Sequence, residues 1–131
     1  MPTPGLIDIP VPPGELLDRL TILAIKRRHI VNPEKLNNIN REWAHLHTLR
    51  QQQLPTDPQL EQLIADLEVI NQTLWDIEDA IRAHEQRQDF GPAFVDLARQ
   101  VYLTNDRRSR LKQQIDSYLR SPWREEKSYV A

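Results

Sequence analysis

The chain has 131 residues, of which 39% are hydrophobic and 27% charged, with three glycines and no cysteine. That length can hold one core of useful size, and the missing cysteines exclude disulfides, thiolate metal sites and a cysteine nucleophile. A formal charge of -2 with both signs interspersed gives no whole-molecule attraction to nucleic acid or to an anionic membrane.

Residues Met1 to Pro13 contain five of the ten prolines around Leu6, Ile7, Ile9 and Val11. Their alternation with Asp8 and Pro10 predicts an extended arm lying across the surface of the protein. Gly14 opens a first helix, 14–31, in which Leu16, Leu20, Leu23 and Ile30 form one face while Ile22 and Ile25 lie nearly opposite. Apolar residues on both sides imply burial on both sides. Glu15, Arg19 and Lys26 form a charged line on this helix, with Asp18 beside them.

Asn32 followed by Pro33 is a cap followed by a proline at the first helical position, where its missing N–H is harmless. A helix over 33–53 follows, with Leu36, Ile39, Trp43, Leu46 and Leu49 as its stripe. Asp57-Pro58 repeats the signal and starts the longest helix, 57–88. There Leu60, Leu63, Leu67, Ile70, Leu74, Ile77 and Ile81 alternate at spacings of three and four, the seam expected to organise the molecule. After Gly91-Pro92 a fourth helix, 92–120, carries Phe94, Leu97, Val101, Leu111, Ile115 and Leu119, and Ser121-Pro122 closes it. The tail 121–131 is expected to fold back onto the helices. Four such helices with short connections predict an all-α fold, an antiparallel up-down bundle forming a single domain over 1–131.

Candidate chemistry lies where polar residues enter apolar faces. Asn105, Arg108 and Lys112 interrupt the stripe of the fourth helix; Asn71, Trp75, Glu78 and Arg82 line up beside the leucine seam, with Asp79 adjacent. Antiparallel packing brings these together, and Arg19 and Lys26 add a third helix to one polar layer. Guanidinium and amide donors in a bundle core suit a small phosphorylated or carboxylated ligand, with Glu78 or Asp79 orienting an arginine or acting as a base. The competing expectation is an internal network in which Glu15 and Asp18 pair with Arg108 or Lys112 and fix helix register.

No metal or cofactor is expected. His45 and His47 are two residues apart and so cannot form an i, i+4 ligand pair, and no glycine-rich phosphate loop or nucleophile elbow is present. No run approaches the roughly 18 apolar residues of a membrane span, and the start of the sequence lacks the pattern of a secretion signal. The expected location is the cytoplasm.

Several strings are specific: Gly14-Glu15-Leu16-Leu17-Asp18; Leu74-Trp75-Asp76-Ile77-Glu78-Asp79 with Ile81-Arg82; Leu97-Ala98-Arg99 with Val101-Tyr102, Asn105-Asp106 and Arg108; and Glu125-Glu126-Lys127-Ser128-Tyr129. They resemble a family of small bacterial proteins catalogued as a domain of unknown function, over almost the whole chain. The resemblance implies no reaction. Through longer relatives that carry the domain near glycosyltransferase or tetratricopeptide regions, it implies a link to cell-surface polysaccharide synthesis. It also singles out Glu15, Asp18, Trp75, Glu78, Asp79, Arg82, Arg99, Asn105 and Arg108, and it places the tail near the mouth of the polar layer. The favoured expectation is a binding or interaction module that holds an anionic ligand or meets a protein partner, including a second copy of itself. The alternative is a cofactor-free enzyme whose site resembles that of chorismate mutase in composition and acts on a dianion.

Overall fold

The computed structural model describes residues 3–124 and 126. Four helices make up the fold: α1 Pro13–His29, α2 Pro33–Gln53, α3 Pro58–Gln86 and α4 Pro92–Tyr118. All four begin with proline, for the reason read from the sequence at Pro33 and Pro58, and α1 starts at Pro13, one residue before the expected Gly14. Asn32 accepts the Lys35 N–H at 3.0 Å and Asp57 accepts the Leu60 N–H at 2.9 Å, so both work as side-chain caps just outside their helices.

α2 ends at Gln53 as expected, whereas the C-terminal ends of α1, α3 and α4 fall two residues short of the expected bounds. α1 stops at His29 because Ile30 turns extended to reach the Asn32 cap. α3 and α4 end in left-handed residues, Gln88 (φ 56) and Arg120 (φ 57). At each end the next amide reaches back across the turn, Asp89 N–H to the His84 carbonyl and Ser121 N–H to the Asp116 carbonyl. This is the Schellman arrangement built without glycine. Gly91 takes no part in these turns and sits at the cap position of α4 with ordinary negative φ.

The helices pack as a bundle, with α1 as its hub. It lies against α2, α3 and α4, α3 and α4 pair along their length, and the α2 backbone runs beside α1 only. The long α3 seam is therefore one wall of the core; the centre is α1. Leu17 and Leu20 of α1 join Leu60, Leu67 and Ile115 in the core, with Trp43, Leu46 and Leu54 packed against them. Leu17 is fully buried and was absent from the predicted faces, since adjacent Leu16 and Leu17 leave the helical phase ambiguous.

The arm does not lie across the bundle as expected. Leu6, Ile7, Ile9 and Val11 are 64%, 88%, 69% and 43% exposed. In the tail, Trp123 is exposed; the expectation that 121–131 folds back rests mostly on Glu125 and 127–131, outside the described residues.

Candidate functional site: an ionic layer between α1, α3 and α4

Buried polar residues follow one another along the α1–α4 contact. At its lower end Gly14 brings the α1 backbone so close to α4 that a Cβ would stand 2.7 Å from the Lys112 carbonyl oxygen and 2.8 Å from the Asp116 carboxylate. The Gly14 N–H donates to Asp116 Oδ1 at 2.7 Å. Pro12, at the cap position of α1, offers no side-chain acceptor, so a buried carboxylate from α4 caps α1 across the interface. An anion at a helix N-terminus is favourable both as an acceptor and against the helix dipole.

One turn further, the Lys112 ammonium donates to Glu15 Oε2 at 2.8 Å and lies 4.0 Å from Asp18 Oδ2. Asp18, 2% exposed, receives Arg108 in the two-pronged manner that guanidinium geometry favours, Nε to Oδ1 at 2.9 Å and Nη2 to Oδ2. Asn71 of α3 donates to Asp18 Oδ1 at 2.9 Å and to Thr21 Oγ at 2.8 Å, and the Thr21 hydroxyl donates to the Asp18 carbonyl at 2.7 Å. Asn105 Oδ1 accepts from Arg108 Nη1 at 3.4 Å. Among the described residues, no buried side-chain nitrogen or oxygen is without a hydrogen-bond partner.

Glu15, Asp18, Asn71, Asn105, Arg108 and Lys112 thus come together. The other predicted members stand apart. Arg19 reaches Glu42 of α2 at 3.4 Å. Lys26 is half-buried in the last turn of α1. Trp75 stacks on His29 at 4.9 Å between ring centroids. Glu78, Asp79 and Arg82 are exposed on α3, and exposed Arg99 borders an open groove with Phe90, Val95 and Asp96 near the start of α4.

The sequence reading missed Thr21, Asp116 and the fully buried Thr104. A signal for Asp116 existed: it follows Lys112 by four residues, so the polar line 105, 108, 112 simply extends one more turn. Thr104 carries no such signal, being small enough to pass for a core residue. Away from the layer, the Tyr118 hydroxyl donates to Asp57 Oδ1 at 2.8 Å. Asp57 is held below its ordinary 3.8 by the Leu60 N–H first and by this hydroxyl second, while the same bond raises Tyr118 above 10.0.

These features define a class: a four-helix protein whose central helix is keyed to its neighbours by a buried ionic layer. The chain belongs to the family of unknown function DUF6165, whose model matches residues 7–131. No curated protein and no solved structure matches it.

Proposed function

We propose that the protein is a helical interaction module in which the ionic layer fixes how α1 docks on α3 and α4. The observation that supports this is the engagement of the charges with one another: Arg108 on Asp18, Lys112 on Glu15, Asp116 on Gly14. A chorismate mutase-like site would need Arg108 and Lys112 turned toward a dianion. Both are committed to carboxylates of α1, which a substrate would have to displace.

One observation favours a second reading, a small anionic ligand at the rim of the layer: the Arg108 side chain is 29% exposed. A phosphate or carboxylate could share its outer edge beside Asn105, with the remaining candidates (Arg19, Lys26, Trp75, Glu78, Asp79, Arg82 and Arg99) outside the first contact.

Arg108→Ala separates the readings. As a register lock it should lose on the order of 3–5 kcal/mol, because Asp18 stays buried without its strongest partner. Urea unfolding measures that. A thermal-shift screen of the wild type against phosphosugars, sugar nucleotides, dicarboxylates and divalent ions accompanies it, the sugar compounds testing the implied link to polysaccharide synthesis. A compound that raises the wild-type melting temperature and leaves the variant unmoved, with the variant otherwise stable, would replace the module by the ligand site.

A further inference from the structure

One stripe of α4 runs the length of the helix at alternating spacings of three and four: Val95, Ala98, Tyr102, Asn105, Ser109, Lys112, Asp116. Its lower half is covered by α1, and there it is polar, with Ser109, Lys112 and Asp116 8%, 6% and 1% exposed. Its upper half is uncovered and apolar, with Val95 52% and Tyr102 53% exposed, Ala98 exposed between them and Leu103 alongside. This inverts the usual assignment, in which apolar residues take the covered positions. α1 ends with His29 against Trp75 and Gln72, whereas α3 continues to Gln86, about 16 Å further. The upper stripe is left to some other occupant.

Among the described residues the arm is a second exposed apolar run. Ile7, Ile9 and Val11 share one edge of an extended segment and span about 13 Å, against about 10.5 Å from Val95 to Tyr102 along α4. Pro10 and Pro12 remove backbone donors from the arm, which suits docking by side chains on a helix, whose own backbone is already paired.

A chain's own arm cannot seat all three side chains along this stripe. Gly14 is fixed at Asp116, and Tyr102 lies about 21 Å up the helix from there. Even fully extended, the chain reaches about 25 Å from Gly14 to Ile7, enough for Tyr102 but short of Val95, about 31 Å up the helix, while Ile9 at about 18 Å and Val11 at about 11 Å fall short of Tyr102. We propose that the upper α4 stripe is the seat of the N-terminal arm of a second copy, the two copies exchanging arms about a two-fold axis. This rests on the interaction-module reading and names its partner.

Sedimentation equilibrium on the full chain tests it. The wild type should be a concentration-dependent dimer. Ile7→Asp with Ile9→Asp, or Val95→Glu with Tyr102→Glu, should each weaken dimerisation at least about tenfold, roughly 1.4 kcal/mol, with helical circular dichroism and melting temperature of the monomer unchanged because all four side chains are exposed. An equimolar mixture of the two variants should regain part of the association, since each mixed pair keeps one intact arm and one intact stripe. A labelled peptide with the sequence of residues 3–13 should bind the arm variant and not the stripe variant. A wild type that stays monomeric at the highest soluble concentration, a dimer that both variants leave intact, or a peptide bound equally by both would each overturn the exchange. The module reading falls on a different result, a ligand that requires Arg108, so the two failures are distinguishable.

Discussion

Gly14 is the residue on which the α1–α4 contact turns. A methyl group there meets backbone, the Lys112 carbonyl at 2.7 Å, and not a flexible side-chain end that could swing away. α1 must then retreat, lengthening the Gly14–Asp116 bond and loosening Glu15 on Lys112 at the same time. Gly14→Ala should cost about 1–3 kcal/mol, the usual range for overpacking, although alanine is the better helix former by roughly 1 kcal/mol. Urea midpoints read the sum of the two effects. A variant as stable as the wild type would mean that the helices can separate freely at this point. The sequence marks Gly14 as a helix start and nothing more, because a close approach between elements far apart in the chain leaves no local pattern. Arg108 and Lys112 are different: charges interrupting an apolar stripe are visible in one dimension, and so was their pairing with Asp18 and Glu15.

Helix ends set the element scale. α3 and α4 both close through left-handed non-glycine residues, Gln88 and Arg120, a conformation that costs an L-residue roughly 1–2 kcal/mol. Glycine removes that strain while adding freedom to the unfolded chain, so Gln88→Gly and Arg120→Gly should each stabilise by up to about 1 kcal/mol, read as a higher melting temperature. At the opposite end of the hairpin, Asp57 and Tyr118 tie the start of α3 to the end of α4, and the sign of their pH dependence follows from their shifts. The depressed carboxyl contributes stability above 3.8 that disappears as pH falls through its lower folded value; the raised hydroxyl contributes stability below 10.0 that disappears as pH rises through its higher folded value. Tyr118→Phe should therefore be less stable than the wild type near neutrality, with the gap closing at both extremes. A gap that is flat from acid to alkali would show that the bond adds nothing to folding. Caps and their prolines were legible because they are written within four residues of one another. The left-handed turns were not, since glutamine and arginine carry no preference for them.

Across the whole molecule, cover is uneven. Leu17, Leu20, Leu60, Leu67 and Ile115, with the side chains of α2 packed on them, fill the end where α4 finishes, and Asn71, Asp18 and Arg108 lie just above. Past Trp75, α3 and the first half of α4 run on beyond the end of α1. The periodic seam of α3 made that helix look like the organiser because it is the longest regular pattern. Yet the hub is α1, shorter and less regular, since a helix surrounded by neighbours needs no single apolar face. The number and type of helices could be read from periodicity; which one lies at the centre depends on contacts among distant segments. This arrangement predicts a gradient in hydrogen exchange. Amides of residues 60–71 and 104–116 should open only with global unfolding, whereas those of 80–86 and 93–100 should exchange through a local opening of lower free energy. Native-state exchange in low denaturant resolves the two groups by their slopes. Arm exchange sharpens the test: raising protein concentration should slow the second group and leave the first at its ceiling, because a docked arm covers only the upper stripe. Uniform protection at low concentration would mean that the α3–α4 hairpin sustains itself without α1 and that the ionic layer orients α1 without stiffening the pair it binds.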